Sequence, residues 1–183
     1  MIDWLPKDFV VLPGGSDVNP AIYGKKNLMS YINKESDARE IAMYKNAIKS
    51  GKPILGICKG SQMLAALNGL TLIQDMDHPG QHNIKVKNNS NEFDKEIFVN
   101  STHHQCVWTN NKLLNDNYEV FGYTKLSKQY VYDDRPIQVF IEPEIIWYPK
   151  ANALGVQFHP ENMRDESYND CIEYLKQLIN KLF

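Results

Sequence analysis

The cysteine at position 58 lies in a stretch that can make its thiol reactive. It is the centre of Gly56-Ile57-Cys58-Lys59-Gly60, between a short apolar run typical of a buried strand and a run of strong helix formers. A strand, a tight glycine turn and a helix form a nucleophile elbow. The turn would place the sulfur at the helix N-terminus, where unpaired N–H groups and the helix dipole favour the thiolate. The pattern predicts a nucleophile, whereas a lone cysteine in such a turn is more often a buried core residue.

A thiolate also needs a base, a group that orients the base, and donors for the oxyanion. His159 is the preferred base because it follows a predicted strand at 154–158, on the sheet edge where the elbow also lies. Glu161, two residues further on, could orient the imidazole. His103 and His104 follow another predicted strand but have no acid at short range, so we assign them to the substrate pocket or to packing.

Two further features could contact a ligand. Gln62 lies one helical turn after Cys58 on the same face, where it is either a substrate contact or a solvated residue. Gly14 and Gly15 begin an irregular loop that runs to residue 20 and follows a predicted strand at 8–12. Adjacent glycines let backbone N–H groups approach a ligand closely, although this loop taken alone would be read as a plain turn.

The sequence predicts no metal site and no cofactor. Cys58, Cys106 and Cys171 lack metal-ligand spacing and predict reduced thiols in a cytoplasmic protein. His78 and His82 are four residues apart, but a Pro-Gly pair between them precludes the helix that would align them.

Composition indicates a globular protein that binds neither nucleic acid nor membrane. The 183 residues are 43% hydrophobic and 23% charged, with a formal net charge of -2, and they form a single predicted domain over 1–183. That charge gives no electrostatic reason to bind nucleic acid or an anionic surface. No apolar run approaches the roughly 20 residues that span a bilayer, and the N-terminus lacks the shape of a signal peptide.

The order of elements predicts an α/β fold. The first elements alternate between strand and helix. A strand at 8–12 is followed by a helix that begins after an Asp37 N-cap, with Glu40 as the capping-box partner, and then by the elbow strand and its helix. This order implies right-handed parallel crossovers. Further short strands are predicted at 70–73, around Ile84 and Val86, and at 97–99, 118–123, 130–132, 137–141 and 145–148. They are typical of an antiparallel meander. A helical repeat from Tyr168 to Leu182 predicts a C-terminal helix.

Several motifs together resemble the class I glutamine amidotransferases. They are Gly-Ile-Cys-Lys-Gly-Ser-Gln at 56–62, Gly-Leu-Thr-Leu-Ile-Gln-Asp at 69–75 and Gly-Val-Gln-Phe-His-Pro-Glu at 155–161. The residues at 13–24, 37–40 and 100–105 narrow the resemblance to the gamma-glutamyl hydrolase branch, which includes the gamma-glutamyl-GABA hydrolases. The resemblance runs in order from about Leu12 to Glu161.

This resemblance implies a fold and a site. The fold is an open, mostly parallel, flavodoxin-like sheet flanked by helices, with extra antiparallel strands. The implied catalytic triad is Cys58, His159 and Glu161, and the implied oxyanion hole is formed by the backbone N–H groups of Gly15 and Lys59. The residues implied to hold the glutamyl α-amino and α-carboxylate groups are Gln62, Thr102, His103, His104 and Gln105.

Two features differ from the family pattern. Lys59 stands where this branch commonly has arginine, and we expect no effect because the backbone carries the role. The family also has a strand, a helix and another strand before the glycine loop, and residues 1–12 leave no room for them. We therefore expect one of three things: an N-terminally short sheet, an open edge that another chain completes, or a sequence that begins late in the domain.

The resemblance implies a cysteine hydrolase that cleaves a γ-glutamyl amide through a glutamyl thioester and releases glutamate. Its expected partner is a small γ-glutamyl compound or glutamine. The first alternative is a glutaminase that supplies ammonia to a separate synthase, with that synthase or a second copy of the chain as a further partner. The second alternative is a non-catalytic binding or regulatory relative.

Overall fold

A computed structural model describes residues 2–76, 80–132, 135–164 and 166–183 of the chain. His78, discussed above, lies outside the described residues. The α-helices are α1 (Lys34–Ser50), α2 (Lys59–Leu67) and α3 (Glu166–Leu182). The strands are β1 (Val10–Leu12), β2 (Ile54–Ile57), β3 (Thr71–Ile73), β4 (Gln81–Val86), β5 (Lys95–Asn100), β6 (Cys106–Trp108), β7 (Glu119–Tyr132), β8 (Arg135–Tyr148) and β9 (Ala153–Val156).

Most of the strands form one mixed sheet, and the α/β class is confirmed. Within the described residues its order is β1-β2-β9-β8-β7-β4-β5. The balance of strand directions differs from the expectation of a mostly parallel sheet. Only β1, β2 and β9 are parallel neighbours, and the pairings from β9 to β5 are antiparallel. In the described part of the chain no α-helix lies between β3 and β9, and parallel crossovers usually need such a helix, so the later strands pair antiparallel.

Helix α1 begins earlier than the sequence predicted. Its N-cap is Asn33, whose side chain accepts hydrogen bonds from the backbone N–H groups of Glu35 and Ser36, at 3.1 Å each. The proposed Asp37–Glu40 capping box is therefore wrong, because both acidic side chains turn inward to Lys59 and are buried. The helix ends as predicted near Gly51, which has a φ of 65°.

The four short strands predicted between residues 118 and 148 are two long strands in the structure. β7 and β8 have 14 residues each and pair as an antiparallel hairpin. Polar and proline residues interrupt the alternation of apolar and polar side chains along these strands, so the sequence predicted two short strands in place of each long one. β3 pairs with β6 in a separate two-stranded sheet, and the sequence reading had missed β6.

Helices cover both faces of the parallel part of the sheet. On one face the buried side chains of α3 belong to the same hydrophobic core as Leu55, Ile57 and Val156. On the other face α2 packs against Leu12, Ile54 and Ala153. This layering fixes β2 and β9 side by side and holds the chain turns at their C-terminal ends in one place. In the described residues no helix is long and apolar enough to cross a membrane.

Candidate active site

Cys58 occupies a strained turn between β2 and α2. Its φ of 50° and ψ of -107° lie in a region that non-glycine residues rarely adopt, and such strain is concentrated at functional sites. Its backbone N–H donates to the Val156 carbonyl at 2.8 Å, and its own carbonyl accepts from the N–H of Gln62 at 3.1 Å. The side chain opens to solvent only slightly, since the residue is 6% exposed. The predicted elbow conformation is therefore present.

The two glycines of the elbow are required by close backbone approach. A Cβ on Gly56 would lie 2.5 Å from the Gly60 carbonyl oxygen, and a Cβ on Gly60 would overlap the backbone carbonyl of Leu12. Neither backbone atom can move aside as a flexible side chain would. The G-x-C-x-G spacing thus follows from the tight packing of α2 on β1 and β2.

His159 follows β9 and is fixed through its backbone. The side chain of Asn100, at the end of β5, accepts a hydrogen bond from the His159 N–H at 2.7 Å and donates one to the His159 carbonyl at 2.9 Å. This clamp ties two chain segments 59 residues apart. Asn100 belongs to the motif at 100–105 but has no predicted role there; an amide side chain at the end of a strand is the sequence feature that could have indicated one.

Cys58, His159 and Glu161 form one hydrogen-bonded group. His159 Nδ1 lies 2.8 Å from Glu161 Oε1, and the His159 ring also hydrogen-bonds Cys58. The hydrogen bonds to Cys58 and Glu161 raise the pKa of His159 to about 10, although partial burial opposes the shift. Burial alone would raise the pKa of Glu161, but the hydrogen bond and the charge of His159 leave it below its ordinary value. The arrangement therefore favours an imidazolium beside the sulfur.

The glycine loop contacts His159 through Gly14 and Lys59, the residue after Cys58, through Gly15. A Cβ on Gly14 would lie 2.6 Å from His159 Cε1, and a Cβ on Gly15 would lie 3.2 Å from Lys59 Cδ. The loop backbone can come this close only because it carries no side chains there. Gly15 and Lys59, the two predicted oxyanion donors, are thus neighbours, and their role as donors stays a prediction.

The side chain of Lys59 is buried, which the sequence analysis did not expect. Its Nζ lies 2.9 Å from Asp37 Oδ1 and 2.8 Å from Glu40 Oε1, and its side chain is 1% exposed. It also donates to the Ser36 hydroxyl at 3.0 Å. The expectation that only the Lys59 backbone matters is therefore incomplete, because this ion cluster joins the start of α1 to the elbow.

Gln62 and Gln105 form a buried contact beside the elbow. The Gln62 amide donates to the Gln105 backbone carbonyl at 2.9 Å and faces Gln157 Oε1 at 3.3 Å. The Gln105 amide in turn donates to the Ser30 hydroxyl at 2.6 Å. Both Gln62 and Gln105 are buried, so their described contacts hold the protein together, and contact with a substrate stays a prediction.

Of the remaining predicted substrate residues, His104 contacts the glycine loop. His104 Nε2 is 3.3 Å from Asp17 Oδ2, and the His104 side chain is 41% exposed. Thr102 is exposed and faces solvent. The side chain of His103 is 3% exposed, which fits the packing alternative that the sequence left open. His104 and Thr102 are therefore the accessible members of this set.

Two histidine–carboxylate pairs lie behind this loop. His82 Nε2 is 3.0 Å from Glu144 Oε1, and His103 Nε2 is 3.8 Å from Glu142 Oε1. His103 Nδ1 faces the Gln105 carbonyl at 2.8 Å. Across the described part of the chain, the ligand atoms of His103, Glu142 and Glu144, which lie within 4.8 Å of one another, are the group that could hold a metal ion. The prediction of no metal stays open.

A cavity of about 660 Å³ lies to one side of the triad. Its walls come from the loop at 24–29, from Leu72 and Gln74, and from the hairpin residues Tyr130 and Tyr132. No triad residue lines it. Gln74 connects it to the elbow region, because its side-chain oxygen accepts from the Ser30 hydroxyl at 3.2 Å, and Ser30 is bonded to Gln105. The sequence gave no signal for this cavity.

The fold and the cysteine–histidine–glutamate group define a class I glutamine amidotransferase-like protein. The family described as Peptidase C26 matches residues 5–161, and the chain belongs to this family. This match shows the family but not the gamma-glutamyl hydrolase branch, so the narrower assignment stays a prediction.

Relatives and solved structures agree with this class. The glutamine amidotransferase-like protein YvdE of Lactococcus lactis subsp. lactis (strain IL1403) is 32% identical over 164 residues, covering 84% of this chain and 66% of the relative. Its homolog from subsp. cremoris is 34% identical over 119 residues, covering 55% of this chain and 63% of that protein. The chain thus spans about two thirds of these relatives. A glutamine amidotransferase structure from Thermotoga maritima shares the fold, with a TM-score of 0.51 and 20% identity over 83% of this chain and 61% of that one.

Proposed function

We propose that the protein is a cysteine hydrolase that cleaves the γ-glutamyl amide bond of a γ-glutamyl compound and releases glutamate. The observation that carries the proposal is the hydrogen-bonded group of Cys58, His159 and Glu161, with Glu161 Oε1 2.8 Å from His159 Nδ1. A cysteine in a strained elbow, paired with a histidine that an acid orients, is the arrangement of a covalent acyl-transfer site. Membership of the Peptidase C26 family supports the same chemistry.

In the first half-reaction the Cys58 thiolate attacks the γ-carbonyl carbon and forms a carbon–sulfur bond. The negative charge moves to the carbonyl oxygen, where the N–H groups of Gly15 and Lys59 would stabilise it. The carbon–nitrogen bond then breaks, and the imidazolium of His159 gives its proton to the departing amine. Glutamate is left as a thioester on Cys58, and His159 is neutral.

In the second half-reaction water attacks the thioester while the neutral His159 takes one of its protons. The tetrahedral intermediate expels the Cys58 thiolate and becomes free glutamate, whose new γ-carboxyl group ionises in solvent. The starting thiolate–imidazolium pair is restored. Glu161 holds the ring in one orientation and stabilises its charged form throughout. This chemistry is complete without a metal or an organic cofactor.

A second candidate is a glutaminase that supplies ammonia to a synthase. The names of the relatives favour it, since YvdE is described as glutamine amidotransferase-like. The chemistry at Cys58 would be the same, with ammonia as the leaving group. The two candidates differ in whether free glutamine is hydrolysed and whether a partner protein is needed.

The test is glutamate release from glutamine, γ-glutamyl-GABA, γ-glutamyl-putrescine and a γ-glutamyl peptide. The wild type is compared with Cys58→Ala and with Cys171→Ala, which removes a buried thiol of the α3 core. Activity on a γ-glutamyl amine or peptide that is lost only in Cys58→Ala is the expected result. Turnover of glutamine that appears only with a partner protein would favour the glutaminase. No turnover, together with no labelling of Cys58 by an electrophilic glutamine analogue, would favour a non-catalytic relative.

A further inference from the structure

Lys59 is a charged residue at a position that otherwise suits an apolar one. Its side chain is 1% exposed, and the rest of α2 through Ala66 is buried as well. Replacing a buried ion pair by apolar residues is often neutral or stabilising, so stability alone is a weak reason for a lysine here. What a buried ion pair adds is a fixed direction for the side chain, because the ammonium must stay with its partners.

Those partners all lie on the first turns of α1. Nζ donates hydrogen bonds to Glu40 Oε1 at 2.8 Å and to the Ser36 hydroxyl at 3.0 Å, and Asp37 Oδ1 lies 2.9 Å away as an ion-pair contact. Two carboxylates against one ammonium leave an excess negative charge. It lies near the N-terminus of α1, where the helix dipole is favourable to it. The head of Lys59 is therefore held firmly.

The stem of Lys59 supports the glycine loop. Gly15 packs on it so closely that a Cβ would lie 3.2 Å from Lys59 Cδ. On the other side, Gly14 packs on the ring of His159, where a Cβ would lie 2.6 Å from Cε1. The loop is thus confined between the catalytic histidine and the lysine stem, and its backbone N–H direction depends on both.

We propose that the Lys59 side chain is a positioning residue, anchored by Asp37 and Glu40, that holds the Gly14–Gly15 backbone in place for the oxyanion. The inference rests on the proposed function for its catalytic consequence. It assigns one residue two tasks, since the Lys59 N–H is one donor and its side chain orients the other. It also gives α1 a part in the reaction, although α1 contributes no group that touches the substrate.

The test compares Lys59→Met, Lys59→Arg and the neutral variant Lys59→Met/Asp37→Asn/Glu40→Gln. The neutral variant leaves no unpaired buried charge, so it separates positioning from misfolding. Lys45→Met, on the exposed surface of α1, is the matched control. The readouts are kcat and KM on the best substrate, the rate at which iodoacetamide alkylates Cys58, and amide hydrogen exchange in residues 12–18.

We expect Lys59→Met and the neutral variant to lose about 10–100-fold in kcat, somewhat less than the loss of an entire oxyanion donor. KM and the alkylation rate should change by less than about threefold, because Cys58 and the triad remain, whereas exchange in residues 12–18 should become faster. Lys59→Arg should restore kcat to within about threefold of the wild type, since the guanidinium keeps the charge and can bind both carboxylates.

Two results would overturn the inference. One is unchanged kcat and unchanged exchange in both methionine variants. The other is a joint fall of kcat, Cys58 alkylation and thermal stability in the neutral variant, which would mean a purely structural role. A wild type inactive on every substrate would refute the proposed function instead, and exchange at residues 12–18 would still decide whether Lys59 orders the loop.

Discussion

At the scale of single residues, the protonation of His159 determines how the site should respond to pH. Cys58 and Glu161 both accept from its ring and raise the pKa of His159 to about 10. A raised pKa means that the ring keeps its proton through neutral pH and loses it only as the pH rises toward that value. Because the departing amine takes this proton, the rate should fall on the alkaline side near pH 10.

Glu161→Gln tests this origin of the pKa. Removing the carboxylate takes away a charged acceptor, so the pKa of His159 should fall and the alkaline limb of kcat/KM should move to lower pH by about one to three units. The measurement is kcat/KM against pH from 6 to 11, because kcat/KM reports the ionisation of the free enzyme. Glu173→Gln, on the exposed surface of α3, should leave the profile in place. An unshifted limb in Glu161→Gln would mean that Glu161 does not set the charge state of His159.

At the scale of elements, the elbow depends on how closely α2 approaches β1. A Cβ on Gly60 would overlap the Leu12 carbonyl, so Gly60→Ala should force the helix away from the strand. We expect a loss of about 1–3 kcal/mol in the free energy of unfolding, measured with urea, and loss of activity. Gly80→Ala is the control, since nothing lies within 4 Å of its added Cβ. Equal stability of the two variants would contradict the close approach.

The start of α1 can be tested in the same way. Asn33→Ala removes the side chain that caps the N–H groups of Glu35 and Ser36. It should cost about 1 kcal/mol in the free energy of unfolding. Asn46→Ala, on the exposed middle of the helix, should leave stability unchanged or slightly higher because alanine is the better helix former. Unchanged stability in Asn33→Ala would mean that the Asn33 side chain does not stabilise the start of α1.

These elements also show which features a sequence can reveal. The elbow was predictable because its strand, glycines and helix are consecutive in the chain and each follows a local rule. The start of α1 was not, since Asp37 and Glu40 have the spacing of a capping box and only the distant Lys59 draws them inward. The long hairpin of β7 and β8 was predicted as four short strands because polar residues interrupt its pattern. Each strand nevertheless continues through these residues, because it stays paired with its neighbour.

At the scale of the whole molecule, the site is assembled by the parallel pairing of β2 and β9. Parallel neighbours end at one edge, which is why Cys58 and His159 could be placed together from the sequence. The Asn100 clamp on His159 and the cavity beside Gln74 depend on contacts between segments far apart in the chain. No local pattern encodes such contacts, so only the folded structure could reveal them.

Folding also leaves the three cysteines with different exposure to solvent. Cys106 and Cys171 are 1% and 0% exposed, while Cys58 is 6% exposed in its turn. Burial raises the pKa of Cys171 to about 12. Burial, with Glu142 and Glu144 adding to it, also raises the pKa of Cys106. At pH 8 a thiol with a pKa of about 12 is ionised in only about one molecule in ten thousand, and the thiolate is the reactive form.

Alkylation of the native protein with iodoacetamide at pH 8 should therefore modify Cys58 alone, as peptide mass mapping would show. In urea all three thiols should react, because unfolding removes the burial that protects two of them. Cys58→Ala should leave the native protein unmodified, and Cys171→Ala should react like the wild type. Rapid native alkylation of Cys106 or Cys171 would contradict this expectation and would mean that the core around that thiol opens on the timescale of the reaction.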